Sequence, residues 1–281
     1  MKRHPIYRFV WSLVNGLLAV SILLAIYSMA WEYSTRRYLK GFSDAIVPLS
    51  APAEQKVEAI LTWMKLGPSR KISSDSLEYF TRDPTTTLNY QELLKTCGTA
   101  TNAFVNLSNS SDLPARRLLL LNRSWSVKHV VVEVEIDGRW VVVDPAFRTI
   151  FRDASGRLLT REQLLDPLVF KQATEGIPDY LPEYTFERTT HVRVAKIPYV
   201  GPILRGWLNR LLPGWSSSLF WTFLLERDSF AAMVTAFLCV ILLLLTRAPL
   251  RWYGEKRLGF RMFRARERMA HVARTLVRGP T

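Results

Sequence analysis

HVVVEVEIDGRWVVVDPAF, residues 129–147, decides the fold. Two valine-rich runs, 127–136 and 139–144, flank Asp137-Gly138. Asp-Gly between β-branched runs is a strong signal for a tight antiparallel hairpin. Alternate residues of a strand share a face. His129, Val131 and Glu133 therefore lie on one side, and Val130, Val132 and Val134 on the other. On the second strand Trp140, Val142 and Asp144 share a face. Pairing His129 directly with Asp144 centres the turn on Ile136-Asp137, within one residue of the Asp-Gly signal. The spacing allows a carboxylate-to-imidazole hydrogen bond across the ladder, which would fix the tautomer and stabilise an imidazolium.

Outward from the hairpin, RRLLLLN (116–122) predicts a buried strand, and residues 91–107 predict a helix with Cys97 near its start, in KTCGTA (95–100). An ordinary thiol has a pKa of about 8.5 and is mostly protonated at neutral pH. A helix N-terminus and a nearby imidazolium both favour the thiolate, and Cys97 facing His129 would have both. Gly98 leaves room for a substrate carbonyl, and the Cys97 backbone N–H could donate to a developing oxyanion. Gln91 is a second oxyanion candidate, with a glutamine capping the preceding turn as the alternative. Residues 53–66, AEQKVEAILTWMKL, predict a helix with Val57, Ile60, Leu61 and Met64 on one face, ended by Gly67-Pro68. Residues 68–88 are polar and turn-rich, a loop at the approach to the site. Taken singly, Cys97, His129 and Asp144 each fit ordinary structural roles. Their combination with the hairpin points to a nucleophile, its base and an orienting carboxylate.

The order Cys97, His129, Asp144, with a thiol opening a helix and H-x-x-x-E followed by D-G-x-W-x-x-x-D-P, resembles the transglutaminase-like superfamily over roughly residues 53–150. The resemblance implies an α+β, papain-like fold in which the helix bearing the thiol packs on an antiparallel sheet. It implies that Cys97 is the nucleophile, His129 the base and acid, and Asp144 the orienter. The sequence departs from the family pattern at Val131, where many members carry an aromatic residue, and at Lys95, where many carry glycine. The expected chemistry is cleavage or transfer of an amide acyl group through a Cys97 thioester. Water as acceptor gives a protease or amidase, the preferred reading, and an amine gives cross-linking. The reading from another class is a non-catalytic transglutaminase-like scaffold in a membrane or envelope assembly.

Two apolar runs flank this region. Residues 9–31 are 23 residues without a charge, and 229–246 are 18 more. At ~1.5 Å per residue the first exceeds the roughly 30 Å of a hydrocarbon core, and the second lies at the short end of the spanning range. The alternatives are a cleavable signal peptide ending near Ser28-Met29-Ala30 and a buried core helix. The expected layout is a cytoplasmic N-terminus (1–8), a first transmembrane helix (9–31), a juxtamembrane linker (32–52) and a core (53–150). An extracytoplasmic extension (151–228), a second transmembrane helix (229–246) and a basic cytoplasmic tail (247–281) follow. Of the net charge of +14, Lys2, Arg3 and Arg8 precede the first run, and ten basic residues against two acidic follow the second. Positive-inside then puts both termini in the cytoplasm and the core outside, which is the periplasm in a Gram-negative cell and the cell surface otherwise. Such juxtamembrane charge suits anionic lipid, and nucleic-acid binding is not expected.

Cys239 lies inside the second run, so Cys97 is the only cysteine between the two. The extension is less legible. It shows a polar helical stretch near 160–172, prolines at 178 and 182, and IPYVGPILRGWLNRLLPGW (197–215), which fits a helix flat in the membrane interface as well as a short core helix. His191 has no neighbour at metal-ligand spacing and reads as structural or exposed. No metal or cofactor is expected. The expected partners are a protein or peptide amide substrate, membrane lipid and other envelope proteins.

Overall fold

A computed structural model describes residues 4–66, 82–89, 96–193 and 201–259. The chain divides into two compact units, one of residues 1–27 with 233–281 and one of residues 28–232. Two helices enter both: α1 (Pro5–Ile46) and α8 (Asp228–Lys256). Each is long and apolar enough to cross a membrane. Within the first unit the Tyr7 hydroxyl donates to the Leu250 carbonyl at 3.0 Å, and the Arg247 guanidinium lies over the Trp11 ring.

The second unit holds a five-stranded antiparallel sheet of order β4-β3-β2-β1-β5. Its strands are β1 (Ala115–Leu121), β2 (Val127–Ile136), β3 (Arg139–Asp144), β4 (Thr149–Ile150) and β5 (Thr189–Thr190). One face carries α2 (Ala53–Lys65) and α4 (Cys97–Ser110). There Val57, Ile60, Met64, Ala103, Phe104 and Leu107 pack on Val132, Val134, Val141 and Val143. The short α3 (Pro84–Thr87) adds Thr87, whose hydroxyl donates to Asn102 Oδ1 at 2.7 Å. The other face is covered by residues 151–186, including α5 (Pro167–Thr174), through Phe151, Leu159, Leu164, Phe170 and Phe186 packed on Leu118, Leu120, Val131 and Val142. Both faces of the hairpin are thus buried, which is why β2 reads as a valine run rather than an alternation. The remaining α-helices among the described residues are α6 (Gly201–Leu211) and α7 (Leu219–Glu226).

The hairpin register differs from the direct His129–Asp144 pairing expected from spacing. The ladder runs from Ile136 opposite Arg139 to Val132 opposite Val143. Asp137 and Gly138 take φ of 50° and 74°, so the turn is the two-residue type that needs left-handed backbone at both positions. The Asp-Gly pair sets the register, and His129 becomes a diagonal rather than a direct neighbour of Asp144.

The expected linker over 32–52 is another correction. Residues 32–46 continue α1 without a break, and Leu39 and Val47 join the core beneath α2 and α4. The junction is polar and buried. Glu32 accepts from Arg227 Nη1 at 3.0 Å and from the Ser229 hydroxyl at 2.7 Å, while Arg227 Nε donates to Asn106 Oδ1 of α4 at 3.0 Å. Next to it, Asn102 and Asn106 donate to the Glu226 carbonyl, and Glu226 pairs with Arg117.

Candidate active site

Cys97 is the first residue of α4. Thr96 caps the helix. Its hydroxyl accepts from the Thr99 N–H at 3.3 Å, and the Thr99 hydroxyl accepts from the Thr96 N–H at 3.1 Å. This reciprocal cap fixes the helix start beside the thiol and leaves the partial positive charge of the N-terminus on Cys97. The Thr101 hydroxyl donates to the Val130 carbonyl at 3.2 Å, tying the first turn of α4 to the residue after His129. Cys97 itself is half-buried, and a Cβ on Gly98 would meet only the Thr96 hydroxyl, at 3.6 Å.

His129 and Asp144 are both fully buried, and Nε2 lies 2.6 Å from Oδ2. The diagonal relationship on one sheet face is enough for this contact, because long side chains bridge such neighbours. The second carboxylate oxygen, Oδ1, accepts from the backbone N–H of Ala146 at 3.0 Å and of Phe147 at 3.3 Å. These two bonds hold the carboxylate toward the ring. Nδ1 of His129 is buried, with no well-aligned hydrogen bond among the described residues. The Cys97 thiol nevertheless acts on the imidazole, through a hydrogen-bonding contact and through charge. The two observations together describe a loose thiol–imidazole contact.

Burial alone would push the His129 pKa down. The Asp144 charge and hydrogen bond, followed by the contribution of Cys97, outweigh it and raise the value from 6.5 to about 9. The imidazole is therefore held as the cation at neutral pH, the state that favours a thiolate beside it.

An aromatic enclosure surrounds the ring. Tyr184 stacks on it with centroids 4.3 Å apart and planes 8° apart, and Phe147 and Tyr180 meet it edge-on at 5.8 and 6.3 Å. The Tyr180 hydroxyl is buried beside Asp144, with no well-aligned hydrogen bond among the described residues. Burial, and then the Asp144 charge, push its pKa above the usual phenol range, so it stays neutral. Sequence reasoning missed Tyr180 and Tyr184. The signal was a short repeat, Pro178-Asp179-Tyr180 followed by Pro182-Glu183-Tyr184, in a passage with no helical or strand period.

Glu133, the acid of the H-x-x-x-E spacing, does not serve His129. It takes His191 Nε2 and Arg116 Nε, each at 2.7 Å. Burial works against its charge, but His191 and Arg116 prevail and lower its pKa. Arg116 in turn lies 3.8 Å over the ring of Trp140, which gives the tryptophan of D-G-x-W a partner. Gln91, the oxyanion candidate, lies outside the described residues, as does Lys95. Among the described residues no group of three or more His, Cys, Asp or Glu is arranged to hold a metal ion.

Residues 40–145 match the family model described as the transglutaminase-like superfamily. No curated protein and no solved structure matches the chain. The matched segment begins within α1, at the stretch expected to be a linker, and ends one residue after Asp144. It contains the thiol, the imidazole and the carboxylate, and the mixed helix and antiparallel-sheet unit is a transglutaminase-like domain.

Proposed function

We propose that this chain is a membrane-anchored thiol enzyme that cleaves or transfers the acyl group of an amide, with hydrolysis preferred over cross-linking. The observation that carries this reading is the buried His129–Asp144 pair, 2.6 Å apart, beside a half-buried thiol at a capped helix N-terminus. The Cys97 thiolate attacks the amide carbonyl carbon and forms a C–S bond. Negative charge develops on the carbonyl oxygen, where the Cys97 backbone N–H is a candidate donor. As the C–N bond breaks, the imidazolium gives its Nδ1 proton to the departing amine. The thioester is then attacked by water or by an amine, with His129 accepting the proton from the attacking group. Asp144 holds Nε2–H throughout, so that Nδ1 is the nitrogen that exchanges protons.

The two long apolar helices and the basic flanks support placing the domain outside the cytoplasm with both termini inside. The substrate class is a protein or peptide amide within reach of the membrane.

The test is alkylation of Cys97 by iodoacetamide in membranes, followed peptide by peptide across pH in the parent, His129→Ala and Asp144→Asn chains. Fast labelling that persists well below the ordinary thiol pKa, and slows sharply in the His129 variant, supports an activated thiolate pair. An ordinary thiol profile that ignores the His129 substitution rejects it and favours the binding-scaffold reading.

A further inference from the structure

The helix α6 is turned inside out for a unit surrounded by water. Ile203, Trp207 and Leu211 recur four residues apart on one side and are 64%, 63% and 64% exposed. Leu212 follows at 59%. Arg205 and Asn209 fall on the other side, where with Arg193 and Trp125 they line a cavity of about 430 Å³. Asn209 Oδ1 accepts the Trp215 indole N–H at 2.8 Å and pins the end of the helix to the following turn. Arg205 and Asn209 are thus directed to the domain, and the Ile203, Trp207 and Leu211 stripe, with Arg210 beside it, away from it. A helix of about eleven residues is marginal in water by itself and is normally held by packing its apolar face, so this stripe needs something apolar to rest on.

The exposed surface continues toward α8. Leu211 and Leu212 form a shallow apolar groove with Phe220 and Trp221 of α7. Phe220 is 43% exposed, and its ring lies 5.7 Å from that of Phe230 in the opening turn of α8; Phe223 lies 5.9 Å from the same ring. Phe230 belongs to the uncharged run 229–246 of the helix long and apolar enough to cross a membrane. The stripe on α6 is therefore contiguous with the first turn of that run. Trp215 and Trp221 meet ring to ring at 5.4 Å along this groove, and Trp207 stands on the exposed stripe; tryptophan is a residue type that concentrates at membrane–water boundaries. The segment 201–211 carries Arg205 and Arg210 and no acidic residue, a composition suited to anionic lipid headgroups.

We infer that α6 lies flat in the bilayer interface on the side of the catalytic unit, with Ile203, Trp207 and Leu211 in the headgroup–acyl boundary. Together with the first turn of α8 it makes a second attachment to the lipid surface. This attachment is independent of whether the thiol is catalytic.

The experiment uses the full chain in nanodiscs of mixed phosphatidylcholine and phosphatidylglycerol. Nitroxide labels are placed singly at Ile203→Cys, Leu211→Cys and Asn209→Cys, in a background with Cys97→Ser and Cys239→Ser. The expected result is that labels at 203 and 211 are relaxed several-fold more by lipid-soluble oxygen than by an aqueous nickel chelate, with the opposite preference at 209. Nickel access at all three positions means the helix lies in water and overturns the inference. Occlusion of 203 and 211 from both reagents means a protein covers the stripe and overturns it equally. Hydrogen exchange on the unsubstituted chain is the second readout. Amides of 201–211 should be protected in nanodiscs, and exchange as fast as an unstructured peptide refutes the placement whatever the labelled variants do.

Discussion

The phenol ring of Tyr184 lies flat on the imidazole of His129, with centroids 4.3 Å apart and planes 8° apart. A face-on aromatic ring attracts a cation by about 0.5–2 kcal/mol, and the imidazolium is the cation it meets. Tyr184→Leu keeps the apolar volume and removes the π-face. The His129 pKa should fall by roughly 0.5–1.5 units, since one unit corresponds to about 1.4 kcal/mol. The alkaline limb of the Cys97 alkylation profile should move down by the same amount. An unchanged limb means that the stacking is packing alone.

Asp144→Asn separates charge from geometry. The amide oxygen can still accept from the N–H groups of Ala146 and Phe147, so the loop after β3 should survive. What is lost is the anion 2.6 Å from Nε2 and the tautomer it selects. Losses on the order of 10³–10⁴-fold accompany this kind of substitution where an imidazole works as base. A loss of that size in acyl-enzyme formation, measured at a temperature where the variant is fully folded, is the expected outcome. Near-parent rates would show that Asp144 does not orient the ring for chemistry.

The same pair makes stability depend on pH. The folded-state pKa of His129, about 9, is above its unfolded value of 6.5. Its contribution is therefore fully present below about pH 6.5 and is lost as pH rises through about 9. The difference corresponds to no more than about 3 kcal/mol. Thermal melts of the detergent-solubilised chain should show a midpoint that declines between those limits in the parent and is flatter in Asp144→Asn. A midpoint that rises over this window would contradict the sign.

The readable parts of the sequence were those where residue type and local conformation agree. Asp137-Gly138 announces its turn, the valine runs their strands, and Val57, Ile60, Leu61 and Met64 their helix face. The continuation of α1 was hidden because its buried stripe is polar. Glu32, Thr35, Leu39 and Ser43 fall at helical spacing and are all buried, yet only one of them is apolar. Hydrophobic periodicity is blind to a face held by ion pairs and hydroxyls. That Cys97, His129 and Asp144 come together was legible from a thiol opening a helix and an imidazole and a carboxylate on one face of the hairpin. Tyr180 and Tyr184 were not, because they reach the imidazole from an irregular passage whose path is set by the far face of the sheet. The register error had a similar origin: spacing was read from the side chains, whereas the turn dictates it.

Glu133 offers a control that separates fold from chemistry. It is buried between His191 and Arg116, with Arg161 4.0 Å away. Glu133→Gln keeps the shape and leaves the largely buried Arg116 guanidinium without its counter-ion. Loss of one partner of such a cluster costs about 3–5 kcal/mol. The melting temperature should drop markedly, while at temperatures where the variant is folded Cys97 should alkylate with the parent's pH profile. A variant of normal stability with a shifted profile would reassign Glu133 to the active site.

The ion pair of Glu32 with Arg227 tests whether α1 is a rigid part of the domain. Glu32 is the acceptor for both Arg227 and Ser229, and Arg227 also reaches Asn106 on the helix that begins with Cys97. Glu32→Ala leaves a buried guanidinium with Asn106 as its remaining neutral acceptor, and the expected cost is about 3–5 kcal/mol. Replacing both ends, Glu32→Leu with Arg227→Met, should recover much of that loss, because well-packed apolar pairs often equal buried ion pairs in stability. Thermal melts of the four chains of this cycle measure the coupling. If α1 were joined by a loose linker, Glu32→Ala would melt with the parent and the cycle would show no coupling.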